Sequence, residues 1–284
     1  MIISLLFPAA FGISSPPHPE VLIEAIEPMA PLATRLNNLL PDSIPPLLKQ
    51  IGGKNIEPPI RVILAPEESD WAQEVPPWIS GYAIPSSHLI ILLPDRIPSY
   101  PYESIEAVFL HELAHIFIAR AASFHPIPRW FDEGLAMMGT HDWTMEDQAR
   151  LLWTRTSLQT LSLEKLNHMF LEDEVSTRQA YIIAYAFLSD VIQHSNQDAL
   201  KSLLQQVGRG VPFHQAFSQL IRMTPNHALS TYWKRQNLLA EWVPLLTSSS
   251  MLWTAMISIL LYVFYRQRKR TTAIQERWKE EDFD

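Results

Sequence analysis

Residues 111–115 read His-Glu-Leu-Ala-His inside a run that is otherwise apolar. Ala107-Val108-Phe109-Leu110 precede them and Ile116-Phe117-Ile118-Ala119 follow. A helix this apolar on every face belongs in a core. Positions i and i+4 share a helix face, so His111 and His115 can reach one point. Glu112 lies about 60° around the axis from His115, beside that point. A buried carboxylate without a partner costs several kcal/mol or is neutralised. Three ionisable groups on one buried helix therefore demand an answering charge, and a divalent cation supplies one.

A second motif follows. Pro126 and Pro128 stop the chain and start a helix reading Arg129-Trp130-Phe131-Asp132-Glu133-Gly134-Leu135-Ala136. Glu133 comes after His115 with 17 intervening residues. A carboxylate from an adjacent helix would complete a His₂Glu zinc site with an open fourth position. Asp132 is the local competitor, and Glu133 is the expected ligand. Gly134 and Ala136 are expected to let this helix approach the first one closely. Cysteine is absent, which excludes thiolate metal sites, thiol nucleophiles and disulfides.

His-Glu-Leu-Ala-His followed by Trp-Phe-Asp-Glu-Gly-Leu-Ala resembles the gluzincin zinc metallopeptidases, most closely the peptidase MA-like family. The likeness runs from about Ile60 to Trp233. It implies zinc, one Zn²⁺ per chain, held by His111, His115 and Glu133, with Glu112 as the general base that takes a proton from zinc-activated water. It implies a candidate oxyanion donor in Tyr181, with Tyr185 one turn later as the alternative. The departures are specific. Met137 stands one turn after Glu133, where thermolysin-like enzymes carry an acidic residue, so the group that orients the imidazoles is not identified. No Gly-Ala-Met-Glu-Asn-like segment is present, and Ile118 and Ala121 exclude the metzincin extension.

The flanking pattern predicts an α+β fold with a small N-terminal mixed sheet and a helical C-terminal half, and the resemblance implies that this is a zincin-like domain. Arg61–Ala65 and His88–Leu93 read as strands, with Gly81-Tyr82-Ala83 as an edge segment between them. Residues 20–40 show helical spacing broken at Pro28 and Pro31, and Pro41–Pro59 reads as a connector. Helices are expected at about 103–121, 129–139, 144–156, 177–194, 197–207, 212–221 and 226–240. Trp71, Trp78 and Trp130 are expected to pack in the core, and His125 and His141 to be solvated.

The ends suggest a membrane topology. Residues 245–265 carry no charge and precede Arg266, Arg268, Lys269 and Arg270, which predicts a C-terminal transmembrane helix and a cytoplasmic tail at 266–284. Residues 1–15 read as a signal peptide or N-terminal apolar anchor. The catalytic domain, 16–241, would then be extracytoplasmic at the cell membrane. The 22 Lys+Arg against 30 Asp+Glu give a net charge of −8, and no basic stripe precedes position 266, so nucleic acid is not an expected partner. The expected function is a membrane-anchored metallopeptidase acting on a peptide or protein substrate. The alternative is a catalytically silent zincin domain serving as a membrane-tethered protein-binding module.

Overall fold

Burial of the sheet's two central strands sets the architecture. In the computed structural model, which describes residues 19–52, 58–98, 100–158, 160–195, 198–235, 253–254, 256–266 and 268, four strands form one mixed sheet. They are β1 (Val21–Ala25), β2 (Ile60–Leu64), β3 (Gly81–Ile84) and β4 (Leu89–Leu92), in the order β1-β2-β4-β3. β1, β2 and β4 run parallel, whereas β3 is antiparallel to β4 and forms an edge. All four residues of β4, Leu-Ile-Ile-Leu, are buried, as expected of an inner strand covered on both faces. One face joins the main core through Val62, Leu64, Ile90 and Leu92. The other, through Leu89, Ile91 and Leu93, packs with Trp71 and Tyr82 in a smaller cluster.

Two features before residue 60 differ from the expectation. Val21–Ala25 is a strand, because its alternating burial suits a sheet edge and its backbone pairs in register with Ile60–Leu64. The segment expected as a connector is mostly helix: α1 spans Ala30–Ile51 with Pro41, Pro45 and Pro46 inside it. Each proline forfeits a helix hydrogen bond. They are exposed, while Leu36, Leu40, Ile44, Leu47 and Ile51 form a buried stripe on the opposite face. Burying that stripe outweighs the lost backbone bonds.

After a short helix, α2 (Asp70–Gln73), the helical half contains α3 (Ile105–Ala121), α4 (Arg129–Thr140), α5 (Met145–Ser157), α6 (Leu163–Met169), α7 (Glu174–Gln193), α8 (Ala199–Gly208) and α9 (Phe213–Ile221), followed by a helical stretch beginning at 225. Side chains define several starts: Ser104, Ser162 and Asp173 accept from backbone amides at the heads of α3, α6 and α7. Trp130 is 1% exposed amid Phe131, Phe187, Phe213 and Phe217, so it is a core residue. Gly134 admits a close neighbour, but that neighbour is α7. A Cβ on Gly134 would lie 2.8 Å from the Ala184 carbonyl oxygen. The expected approach to the first motif helix does not account for this glycine.

The chain divides into two compact units, the first ending at Trp233 and the second beginning at Lys234. The predicted transmembrane helix is not supported: no helix among the described residues is long and apolar enough to cross a membrane. In the second unit, residues 256–266 are helical. At 1.5 Å per residue that run rises about 16 Å, against a hydrocarbon core of about 30 Å. The remainder of 245–265 needed for a span lies largely outside the described residues, as do the predicted signal segment 1–15 and nearly all of the tail 266–284.

Arg96 fastens the loop that leads into β3. Its guanidinium donates to Glu67 Oε2 at 2.7 Å and to the carbonyls of Ala72, Pro76 and Ile79 at 2.8, 2.9 and 3.0 Å. Asp147 ties α5 to the rest. Its Oδ2 accepts from the Thr144 amide and hydroxyl at 2.9 and 2.7 Å and lies 2.9 Å from His141 Nε2.

Two consequences follow from this packing. Replacing Gly134 with alanine should destabilise the fold by about 1–3 kcal/mol, because the added methyl meets backbone rather than a movable side chain; thermal unfolding measures this. Burial pushes the Asp147 carboxyl up, but the Thr144 hydroxyl and amide and the His141 imidazole bring it below the usual aspartate range. A carboxylate lowered in the fold contributes stability above its unfolded pKa and loses that contribution as pH falls through its folded one. Denaturant unfolding against pH should show Asp147→Ala costing about 1–2 kcal/mol at neutral pH, with the difference shrinking in acid.

Candidate metal centre

The first motif lies on α3, capped at Ser104, and the second on the first turns of α4. Four-residue spacing brings His111 and His115 to one face of α3, with their Nε2 atoms 3.0 Å apart. Glu133 reaches across from α4 and places Oε2 3.3 Å from His111 Nε2 and 3.4 Å from His115 Nε2. His111 is 2% exposed, and Glu133 and Glu112 are each 6% exposed.

These three atoms fit a cation. Zinc bonds to imidazole nitrogen and carboxylate oxygen at about 2.0–2.2 Å, so ligands at the corners of a tetrahedron stand about 3.3 Å apart. The observed edges of 3.0, 3.3 and 3.4 Å match that figure. His111, His115 and Glu133 form the group of donors among the described residues that could hold one ion. Glu133 Oε2 is buried without a hydrogen-bond partner among them, an expensive arrangement for a carboxylate oxygen unless positive charge faces it.

Side chains stand behind each of the three donors. His111 Nδ1 meets the Tyr102 hydroxyl, and the two rings lie 4.9 Å apart. His115 Nδ1 lies 3.1 Å from Asp132 Oδ2. Glu133 Oε1 accepts from Arg129 Nε at 3.3 Å. Asp132, the sequence-level competitor for the ion, thus faces the back of an imidazole while its neighbour Glu133 faces the front. Residues one apart on a helix diverge by about 100°, which divides the two roles.

The electrostatics agree with a demand for positive charge. Burial disfavours a charged His115, yet the Asp132 and Glu133 carboxylates raise its pKa well above the usual histidine value. Burial likewise pushes Glu133 up, but the His115 and His111 imidazoles hold it well below the usual carboxylate range. Either a proton or a metal cation on the imidazole face satisfies this set.

Beside the donors is a cleft lined by His111, Glu112 and Tyr181, by Gly81 of the edge strand, and by Trp78 and Arg178. Burial raises the Glu112 carboxyl more than the adjacent imidazoles lower it, which moves it toward the range useful to a base near neutrality. Tyr181 on α7 packs on Phe170, its ring 6.1 Å from that of His111. Burial, then the Glu133 and Glu112 carboxylates, keep its hydroxyl protonated far above the usual tyrosine value. Tyr185 instead stacks on Trp143 at 4.7 Å and does not line this cleft. Of the three tryptophans, Trp78 borders the cleft, while Trp71 and Trp130 pack in the apolar clusters. His141 is held by Asp147, and His125 Nδ1 contacts the Ala122 carbonyl oxygen at 3.1 Å.

Sequence reasoning did not identify Tyr102, Asp132 and Arg129 as the groups behind the donors. Asp132 and Arg129 carried a signal, since both lie within one turn of Glu133. Tyr102 carried none: it precedes the helix and reaches His111 only through the path of the Tyr100–Ser104 segment. The chain matches no protein-family model and no curated protein sequence. Elemental analysis of the purified full chain should find about one zinc per molecule, and Glu133→Ala should lower metal affinity by at least tenfold.

Proposed function

We propose that this chain is a zinc-dependent metallopeptidase. The observation that carries the proposal is the convergence of three lone-pair donors, two imidazole Nε2 atoms and one carboxylate oxygen, at the spacing of tetrahedral zinc ligands, with His111 and Glu133 buried and His115 half-buried. His111, His115 and Glu133 would hold the ion, which when bound supplies Lewis acidity toward a scissile carbonyl and toward water.

The remaining steps belong to the chain's own side chains. Glu112 lines the cleft next to both imidazoles. It would accept the proton of the attacking water on its carboxylate and deliver that proton to the leaving amine. Tyr181, kept neutral by burial, would donate its O–H to the oxygen on which negative charge develops.

The sheet supports one placement of a peptide substrate. β3 is paired on one side with β4, and Gly81 opens into the cleft beside His111 and Glu112. An extended peptide can add to the other side of β3 through main-chain hydrogen bonds, with its scissile bond delivered to the donors. The small residue matters here. A Cβ on Gly81 would come within 2.6 Å of Val108 Cγ1, so a larger residue would push the strand and α3 apart.

Glu112→Gln keeps the shape of the side chain and removes its basicity. It should lower kcat/KM toward a peptide substrate by about 10²–10⁴-fold while zinc content stays at the wild-type level. Undiminished turnover in that variant would refute the role given to Glu112.

A further inference from the structure

A carboxylate can meet a metal ion with one oxygen or with both. Zinc has no geometric preference of its own and does not choose between them. At a site with three protein ligands the choice decides the chemistry. One oxygen leaves the ion a fourth position for water, and two oxygens fill it. The fold treats the two oxygens of Glu133 differently. Oε2 stands 3.3 and 3.4 Å from the Nε2 atoms of His111 and His115 and has no hydrogen-bond partner among the described residues. Oε1 accepts from Arg129 Nε at 3.3 Å.

Helix stability does not account for Arg129. It is the first residue of α4 and follows Pro128, which provides no side-chain cap. Unpaired backbone amides point outward at that end, and the helix dipole favours an anion there rather than a guanidinium. The pair with Glu133 also runs in the less favourable order, with the cation four residues before the carboxylate. An i,i+4 pair between exposed side chains contributes little in any case. Here the two ends are unlike: the Glu133 side chain is 7% exposed and that of Arg129 41%. A residue that breaks two local rules of its helix, yet reaches a buried carboxylate, serves something other than the helix.

Phe170 steadies the guanidinium. Its ring is buried, with Arg129 Cζ 5.3 Å from the centroid and the Tyr181 ring edge-on at 5.3 Å. A cation over an aromatic face is attracted to it, so Arg129 is drawn toward Phe170 as well as toward Glu133. One aromatic side chain thus contacts both the group behind Glu133 and the tyrosine that lines the cleft.

We infer that Arg129 is a positioning residue that holds Glu133 Oε1 away from the metal, so that Glu133 binds through Oε2 alone and the fourth position stays open. The inference rests on the metal-centre reading above and adds what sets the coordination number.

The test loads the full chain with cobalt(II), whose visible absorption is strong in four-coordinate sites and weak in five-coordinate ones. Wild type should give the strong spectrum. Arg129→Met removes the donor and frees Oε1; with one cobalt still bound per chain, its absorption should fall to the five-coordinate range. Arg129→Lys restores a cationic donor and should recover the wild-type intensity. Phe170→Leu removes the ring beside the guanidinium and should lower the intensity by less than Arg129→Met does. It decides the matter if Arg129→Met fails to fold. A wild type that binds cobalt with a strong spectrum, unchanged in Arg129→Met, or unchanged in Phe170→Leu where that variant decides, would overturn this inference alone. So would a weak spectrum in the wild type. A folded wild type that binds neither cobalt nor zinc would overturn the metal-centre reading, and this inference with it.

Discussion

A buried helix can carry His111, Glu112 and His115 only if something outside it answers their polarity, and much of the helical half of this protein is arranged around that answer. α4 supplies Glu133 to the front of both imidazoles and Asp132 to the back of one. α4 can do so because α7 locks against it at Gly134, where there is no room for a side chain. α7 then contributes Tyr181 to the same cleft. The aromatic cluster about Trp130 lies under this crossing and excludes water from its base. Exclusion of water is what makes the charges on the donors strongly felt.

The sheet serves the same centre from the other side. Its inner strand β4 is buried on both faces, and β2 buries Ile60, Val62 and Leu64 beside it. The antiparallel strand β3 adds an edge beside α3. The loop before that edge would be costly to order by itself. Arg96 offsets the cost by filling carbonyls along it and pairing with Glu67. The guanidinium fork suits this task, because several donors leave one buried group in fixed directions.

Behind the donors, the histidines face unlike groups, a carboxylate for His115 and a tyrosine hydroxyl for His111. An anionic acceptor makes an imidazole a stronger ligand than a neutral one does. The two imidazoles are therefore expected to differ in basicity although they share one motif. Arg129 against Glu133 Oε1 adds a third distinct support, occupying one carboxylate oxygen and leaving Oε2 toward the donors.

The local pattern by itself determined much of this protein. Spacing of four placed His111 and His115 on one face, and the Pro128 boundary placed Glu133 early on the next helix, because helix periodicity and proline sterics act within a few residues. The apolar runs in β2 and β4 were legible for the same reason. Other features were decided in three dimensions. Val21–Ala25 became a strand because β2 was there to pair with it. Three prolines stayed inside α1 because its opposite face is buried. Gly134 was kept small by α7, which lies some fifty residues downstream. Residues 245–265 read as a span from composition alone, yet a span requires continuous helix of sufficient length, and the described residues contain no such helix. The contact of Tyr102 with His111 was equally invisible, since a hydrogen bond records distance and direction in space, and neither is written in the order of residues.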